Sequence, residues 1–178
     1  KKISYVCAFL VAAVLAGIYL LPEEKTVINE IVMTWLPYFV FIMYAMNRGT
    51  GFTKALFMNC DHSLLTYSFY KQPKYILRLF RIRLREIIKI NLPPALILGV
   101  GLSVLLYASG GTSSPWNYAV MVISLACMSI VFSVHYLTLY YLLQPYNAGT
   151  EMKSGTYQLL MSLTYLACLL MMQVRMPT

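Results

Sequence analysis

The sequence contains few residues of the kinds that carry acid–base, nucleophilic or metal chemistry, and their spacing forms no recognisable site. His62 and His135 are the two histidines, and neither belongs to an HExxH pattern or has a CxxC pair nearby. The sequence also lacks a GxSxG elbow and a GxxxxGKS or GxxxxGKT phosphate loop. We therefore predict no catalytic residue and no metal site, and we expect His135 to be a hydrogen-bonded histidine inside a helix bundle.

The composition is typical of an integral membrane protein. Of the 178 residues, 60% are hydrophobic and only 11% are charged, with a mean hydropathy of +0.67, whereas soluble domains carry about 25% charged residues. A chain this apolar cannot cover its surface with polar groups in water. The cysteines are widely separated and predict no disulfide framework; they are Cys7, Cys60, Cys127 and Cys168.

Five apolar segments predict membrane spans, each of which needs about 20 apolar residues. Pro37 lies in the second segment and predicts a kink there, while Gly99 and Gly101 lie in the third, where small residues permit close helix packing. The expected fold is an all-α, polytopic transmembrane helix bundle that forms a single domain over residues 1–178. The segments are Ile3–Leu21, Ile28–Met46, Pro93–Ala108 (with residues from about Ile87 extending it), Tyr118–Leu143 and Tyr157–Val174.

The basic residues predict the orientation of these spans. Between Arg48 and Lys89 there are nine lysines and arginines and two acids, whereas the other five basic residues are scattered. Because an excess of Lys and Arg marks the cytoplasmic side, we place Arg48–Asn91 in the cytoplasm. The connections Pro22–Glu30 and Ser109–Asn117 then lie outside, and Lys1 and Lys2 lie inside. Five spans leave the C-terminus outside, so we expect the chain to be part of a longer protein.

The interfacial part of the cytoplasmic segment 47–91 is a predicted amphipathic basic helix from Lys74 to Ile90. On a helix, five basic residues fall on one face and apolar residues on the opposite face, with Arg83 as the exception among the apolar residues. Pro93 and Pro94 then predict a hinge between this helix and the third span. Contact with anionic lipid, a solvated spacer and a partner-binding face remain alternatives. The predicted lipid or interface residues are Lys74, Arg78, Arg81, Arg85 and Lys89.

Upstream of this helix, the segment from Asp61 to Tyr70 predicts a short cytoplasmic helix. Asp61 is suited to be its N-cap, and Pro73 follows its end. The segment carries much apolar and aromatic surface for a cytoplasmic loop, and exposed patches of that kind usually bind a partner. Contact with the bilayer interface, where Tyr is favoured, is the alternative interpretation.

The run from Leu56 to Leu96, "LFMNCDHSLLTYSFYKQPKYILRLFRIRLREIIKINLPPAL", resembles loops of bacterial ATP-binding-cassette (ABC) permeases, and the topology resembles the permease subunit of an ABC exporter. The resemblance implies that the coupling helix between spans two and three, here within Asn47–Pro73, docks into a separate ATPase subunit. The partner-binding residues would then be Asp61, His62, Ser63, Leu64, Tyr67 and Tyr70.

The same resemblance implies the partners and the location of the protein. ATP and Mg²⁺ would be bound by the nucleotide-binding subunit, with no cofactor in this chain. The other partners would be membrane lipid and a second permease copy or half, with no nucleic acid, in a bacterial cell membrane. The family normally has six spans in each half, one more than the five predicted here.

Two other functions remain open from the sequence. The chain is alternatively a membrane-embedded enzyme or processing factor with a site at His135, or a non-catalytic scaffold that binds anionic lipid through the basic helix. The predicted spans contain almost no ionisable residues, which disfavours coupling to an ion gradient and favours a driving force from a partner subunit.

Overall fold

The computed structural model describes residues 2–20, 25–34, 36–61, 67, 72–112, 114–146 and 154–174. These residues are overwhelmingly helical and include no β-strand, so the predicted all-α fold is confirmed. In chain order the elements are α1 (Lys2–Leu20), α2 (Lys25–Thr34), α3 (Tyr38–Met46), α4 (Gly49–Leu56), a π-helical turn (Phe57–Asp61), α5 (Pro73–Ala108), α6 (Trp116–Leu143) and α7 (Gly155–Met171).

Three helices, α1, α5 and α6, are long and apolar enough to cross a membrane. The number rises to four if α2 and the helical stretch from Tyr38 to Asp61 form one broken span with a bend of 74°. This break adjoins Pro37, where the sequence predicts a kink because proline cannot donate a backbone hydrogen bond. α7 is apolar but has only 17 residues. The membrane character is therefore supported, and the number of five spans stays a prediction.

Contacts between the helices define two ends of the bundle. At the first, which we call the hairpin end, α5 connects to α6, and the Asn29 side chain of α2 donates to the Gly111 carbonyl oxygen at 2.9 Å. At the opposite end, which we call the basic end, the Arg48 backbone N–H donates to Asn91 Oδ1 at 3.1 Å. The hairpin end therefore contains residues from both connections that the sequence predicts to lie outside the membrane. The chain from α2 through α3 runs in the direction opposite to α5, and α6 also runs antiparallel to α5.

The core lies along the antiparallel pair α5–α6, which α1 flanks. A Cβ atom on Gly99 would come within 3.0 Å of the Val122 Cα atom of α6, and one on Gly101 would come within 2.6 Å of the Val11 side chain of α1. The prediction that these two glycines permit close helix packing is confirmed. Their absent side chains let the hairpin and α1 approach each other along the apolar centre.

α5 is one continuous helix of 36 residues that contains Pro93 and Pro94. The prediction of a hinge between an interfacial helix and a separate span is therefore wrong. Pro94 and Ala95 are buried in the bundle, and Asn91 donates to Ser133 Oγ of α6 at 3.1 Å. This packing holds the helix together where the prolines remove backbone hydrogen bonds. At about 1.5 Å per residue α5 is roughly 54 Å long, which exceeds the ~30 Å of a hydrocarbon core.

Large aromatic side chains are exposed at the hairpin end. Tyr19 and Tyr107 are each the last residue but one of α1 and α5, Trp116 begins α6, and all three are largely exposed. Tyr and Trp are enriched where helices leave the hydrocarbon core, so these residues fix a reference level for that boundary. Counted from this level, about 20 helical residues reach the opposite boundary. On α5 that boundary falls near Ile87, and on α6 it falls near Tyr136.

Candidate functional site

A buried ion pair lies at the basic end, where the π-helical turn meets α5 and α6. Arg83 occupies the inner face of α5, because it falls one turn after Phe80 and one turn before Ile87, and both of these residues face the bundle. Asp61 is the last residue of the π-helical turn, and that turn brings its carboxylate against the arginine. The two side chains are 8% and 5% exposed, so the pair is almost completely removed from solvent.

The Arg83 guanidinium binds the Asp61 carboxylate in the bidentate manner that gives the strongest ion pairs. Nη1 donates to Oδ2 at 2.6 Å and Nη2 donates to Oδ1. The Tyr140 hydroxyl of α6 donates to Oδ2 at 2.5 Å, and Nη1 also donates to the Tyr141 hydroxyl oxygen at 2.7 Å. Both charges are therefore satisfied by partners on three different elements.

Apolar and aromatic side chains enclose the pair. Phe57 of the π-helical turn, Leu137 and Tyr140 of α6, and Tyr146 form a buried cluster, and Phe80 and Leu84 of α5 pack against it. The Phe80 and Tyr141 rings meet edge to face, with centroids 5.5 Å apart. Because this surrounding has a low dielectric constant, an unpaired charge in it would be very costly. The pair therefore fastens the π-helical turn to α5 as long as both partners are present.

The ion pair lies far from the hairpin end of the bundle. Arg83 is about 25 residues from the hairpin end of α5, and Tyr141 is about 25 residues from the start of α6, which corresponds to roughly 37 Å on both helices. That depth exceeds the ~30 Å of a hydrocarbon core. The site thus holds the chain segment that leaves α4 against a part of α5 that lies far from the hairpin end.

The structure changes the role of Asp61, which the sequence assigns to the N-cap of a partner-binding helix. Asp61 instead ends a helical turn, is buried, and uses both carboxylate oxygens inside the protein. The buried position of Asp61 has a physical reason, because the buried guanidinium of Arg83 needs a counter-ion. Tyr67 is exposed, as a partner-binding residue should be. The other predicted partner-binding residues, His62, Ser63, Leu64 and Tyr70, lie outside the described residues.

The five predicted basic-face residues share one exposed stripe of α5. This basic stripe consists of Lys74, Arg78, Arg81, Arg85 and Lys89. Within it, Lys89 donates to Glu86 Oε1 at 2.6 Å in a surface pair. The opposite face is covered by protein in part, because Phe80 and Leu84 pack on the buried cluster, whereas Leu77 and Ile90 are exposed. Its contact with lipid stays a prediction. A helix continuous with a span cannot lie flat on the membrane.

The remaining candidates for chemistry are engaged in packing. His135 Nε2 lies 3.0 Å from Thr164 Oγ1 of α7, which confirms the predicted hydrogen-bonded histidine within the bundle. No disulfide links the cysteines in the part of the chain that the structure describes; Cys7 and Cys168 are buried, whereas Cys60 and Cys127 are exposed. Among the described residues, no group of three His, Cys, Asp or Glu side chains could hold a metal ion.

Sequence reasoning missed the pairing of Asp61 with Arg83, although a signal for it was present. Arg83 is the one basic residue of α5 that lies off the basic stripe, and Asp61 is the nearest preceding acid in a segment rich in bases. A charge on an apolar helix face calls for an opposite charge from another element. Comparisons of the chain with protein-family models, with curated protein sequences and with solved structures found no match.

Proposed function

We propose that this chain is the membrane permease subunit of an ABC-type exporter, in which ATP hydrolysis by a partner subunit drives movement of a substrate across a bacterial cell membrane. The observation that supports this function is the attachment of Asp61 to Arg83. The segment that follows Asp61 is the one whose sequence resembles a coupling helix. That segment therefore begins next to a residue that is fastened to the long helix α5.

Such an attachment suits the transmission of force. α5 has 36 residues, and its packing continues past the two prolines into the apolar centre of the bundle. A partner that pushes on the segment after Asp61 would move a continuous helix rather than a loose loop. The side chains along α1 and α6 include no Asp or Glu, the groups that ion-coupled cycles commonly use. An external ATPase would supply the driving force instead.

In this proposal the basic end faces the cytoplasm. The basic stripe, Arg48 and Lys54 all belong to that end, and an excess of Lys and Arg marks the cytoplasmic side. The orientation is tested by labelling intact cells with an impermeant thiol reagent, after removal of the native cysteines. Ser114→Cys should react and Tyr67→Cys should react only after permeabilisation. The reverse pattern would contradict the orientation.

The partner is tested by photo-cross-linking in the intact chain. Benzoylphenylalanine at position 67, an exposed site within the proposed coupling segment, should cross-link to a protein that contains a GxxxxGKS or GxxxxGKT motif and hydrolyses ATP. The matched control is benzoylphenylalanine at Tyr107, an exposed tyrosine at the hairpin end. Recovery of no such ATPase at position 67, or equal recovery at both positions, would contradict the proposal.

A scaffold that binds anionic lipid is the second candidate, and the exposure of all five residues of the basic stripe favours it. The two functions differ in one result. A scaffold would bind acidic vesicles without any ATPase at position 67, whereas the permease subunit would cross-link to one. No structural observation favours the third alternative, an enzyme with a site at His135, because that histidine is hydrogen-bonded to Thr164.

A further inference from the structure

A cleft of about 570 Å³ lies at the basic end, between the start of α1, the junction of α3 with α4, and α5. Its wall combines apolar side chains with the polar side chains of Asn47, Arg48 and Thr50, and no acidic residue is among the described residues that line it. The side chains that matter here are Ile3, Met46, Phe52 and Ile90, which are apolar, and Arg48 and Thr50, which are polar.

The backbone beside the cleft is held by two side-chain hydrogen bonds, which leave the guanidinium of Arg48 available. Asn91 Oδ1 accepts from the Arg48 backbone N–H at 3.1 Å, and Asn47 Oδ1 accepts from the Gly49 N–H at 2.8 Å. The side chain of Arg48 is exposed. Within the part of the chain that the structure describes, it forms no hydrogen bond or ion pair. A fixed backbone thus presents a positive charge, which has no partner among the described residues, in the wall of the cleft.

Two helices independently place this cleft at the level of a lipid headgroup. Ile90 of α5 lies about 25 Å from the level of Tyr107, and Ile3 of α1 lies about the same distance from the level of Tyr19. Both tyrosines mark the hairpin-end boundary of the apolar region. Since a hydrocarbon core is about 30 Å thick, the cleft lies just within the opposite boundary, where the phosphate and ester groups of the other leaflet begin.

We propose that this cleft binds one acidic phospholipid. Its phosphate would accept hydrogen bonds from the Arg48 guanidinium, which is suited to bidentate contact with phosphate, and the Thr50 hydroxyl would lie beside it. The acyl chains would lie against Ile3 and Ile90, both of which border the apolar surface of the bundle. This site is separate from the basic stripe, where attraction is diffuse, and it does not depend on the proposed transport function.

The test is a binding titration of the detergent-purified full chain with short-chain phosphatidylglycerol and phosphatidylcholine. Arg48→Gln should raise the Kd for phosphatidylglycerol at least about tenfold, because it removes a charged hydrogen bond. Lys54→Gln, an exposed basic residue of α4 that does not line the cleft, should leave that Kd unchanged. Equal losses in both variants would mean diffuse attraction and would overturn the proposal, as would equal binding of the two lipids.

A second pair of variants keeps the charge of Arg48 and tests the volume of the cleft. Ile90→Trp should fill the cleft and weaken phosphatidylglycerol binding, whereas Ile82→Trp, at another exposed isoleucine of α5, should not. If Ile90→Trp binds phosphatidylglycerol as tightly as the unchanged chain, the proposal is overturned, whether or not Arg48→Gln folds. Inorganic phosphate should compete poorly, because it lacks acyl chains; competition as strong as that of the lipid would indicate a free-anion site and would also contradict the proposal.

Discussion

Arg83 and its neighbours Arg81 and Arg85 are the same residue type on the same helix, yet they lie in opposite environments. Arg83, taken as a whole residue, is 6% exposed and is paired with Asp61. Arg81 and Arg85 belong to the exposed basic stripe. Two residues correspond to about 200° of rotation on a helix. Arg83 therefore faces the bundle while its neighbours face away from it.

The difference shows that charge alone does not determine what a basic residue does in this protein. The exposed arginines remain available to lipid or a partner, and solvent screens them. The buried arginine has lost its water and depends on Asp61, Tyr140 and Tyr141 for compensation. Loss of one exposed arginine should change binding, whereas loss of the buried arginine should change the fold.

The largest effect is expected at the buried pair. Arg83→Ala leaves the Asp61 carboxylate buried without its counter-ion, and such a loss costs about 3–5 kcal/mol. Arg85→Ala is the matched control, with an expected change within about 0.5 kcal/mol. The free energy of unfolding in mixed micelles, measured as the fraction of denaturing detergent rises, checks both. Similar values for the two variants would contradict the distinction between the buried and exposed arginines.

A second comparison concerns two glycines of α4. A Cβ on Gly49 would lie 2.2 Å from Tyr136 Cγ of α6, whereas one on Gly51 would meet nothing within 4 Å. Gly49→Ala should destabilise the protein by about 1–3 kcal/mol through overpacking.

Gly51→Ala should be neutral or stabilising by up to about 1 kcal/mol, because alanine favours a helix. The same unfolding measurement compares the two variants. If Gly49→Ala is as stable as Gly51→Ala, α4 does not pack on Tyr136 as the structure has it.

The smallest effect on stability is expected along the basic stripe. Changing Arg78, Arg81 and Arg85 together to Gln should leave the free energy of unfolding nearly unchanged but weaken binding to acidic vesicles. Each charge near such a surface contributes about 1 kcal/mol, and salt screens the attraction. Vesicle co-flotation at low and high salt is the measurement. Unchanged binding at low salt would make the stripe a solvated surface without a lipid role.

The residue pattern predicts the features that depend on local sequence. Apolar length predicts α1 and α6, Pro37 predicts the break before α3, and the 3.6-residue repeat predicts the shared exposure of the basic stripe. The glycines at 99 and 101 likewise indicate close helix packing.

Features that depend on distant residues were predicted less well. Asp61 and Arg83 are 22 positions apart, so their pairing depends on how the π-helical turn packs against α5. The two prolines predict a break when considered locally, but contacts with α6 keep α5 continuous. The sequence does not reveal that Tyr141 and the cluster around Tyr146 cover part of the apolar face of the basic helix, at Phe80 and Leu84.

The attachment of the proposed coupling segment to α5 is tested most directly by a double-mutant cycle on Asp61 and Arg83. The unfolding free energies of Asp61→Ala, Arg83→Ala and the double variant are compared with that of the unchanged chain. We predict a coupling energy of at least about 2 kcal/mol, with the double variant more stable than the sum of the single losses implies, because it leaves no buried charge unpaired. Additive losses, with a coupling energy near zero, would contradict the account.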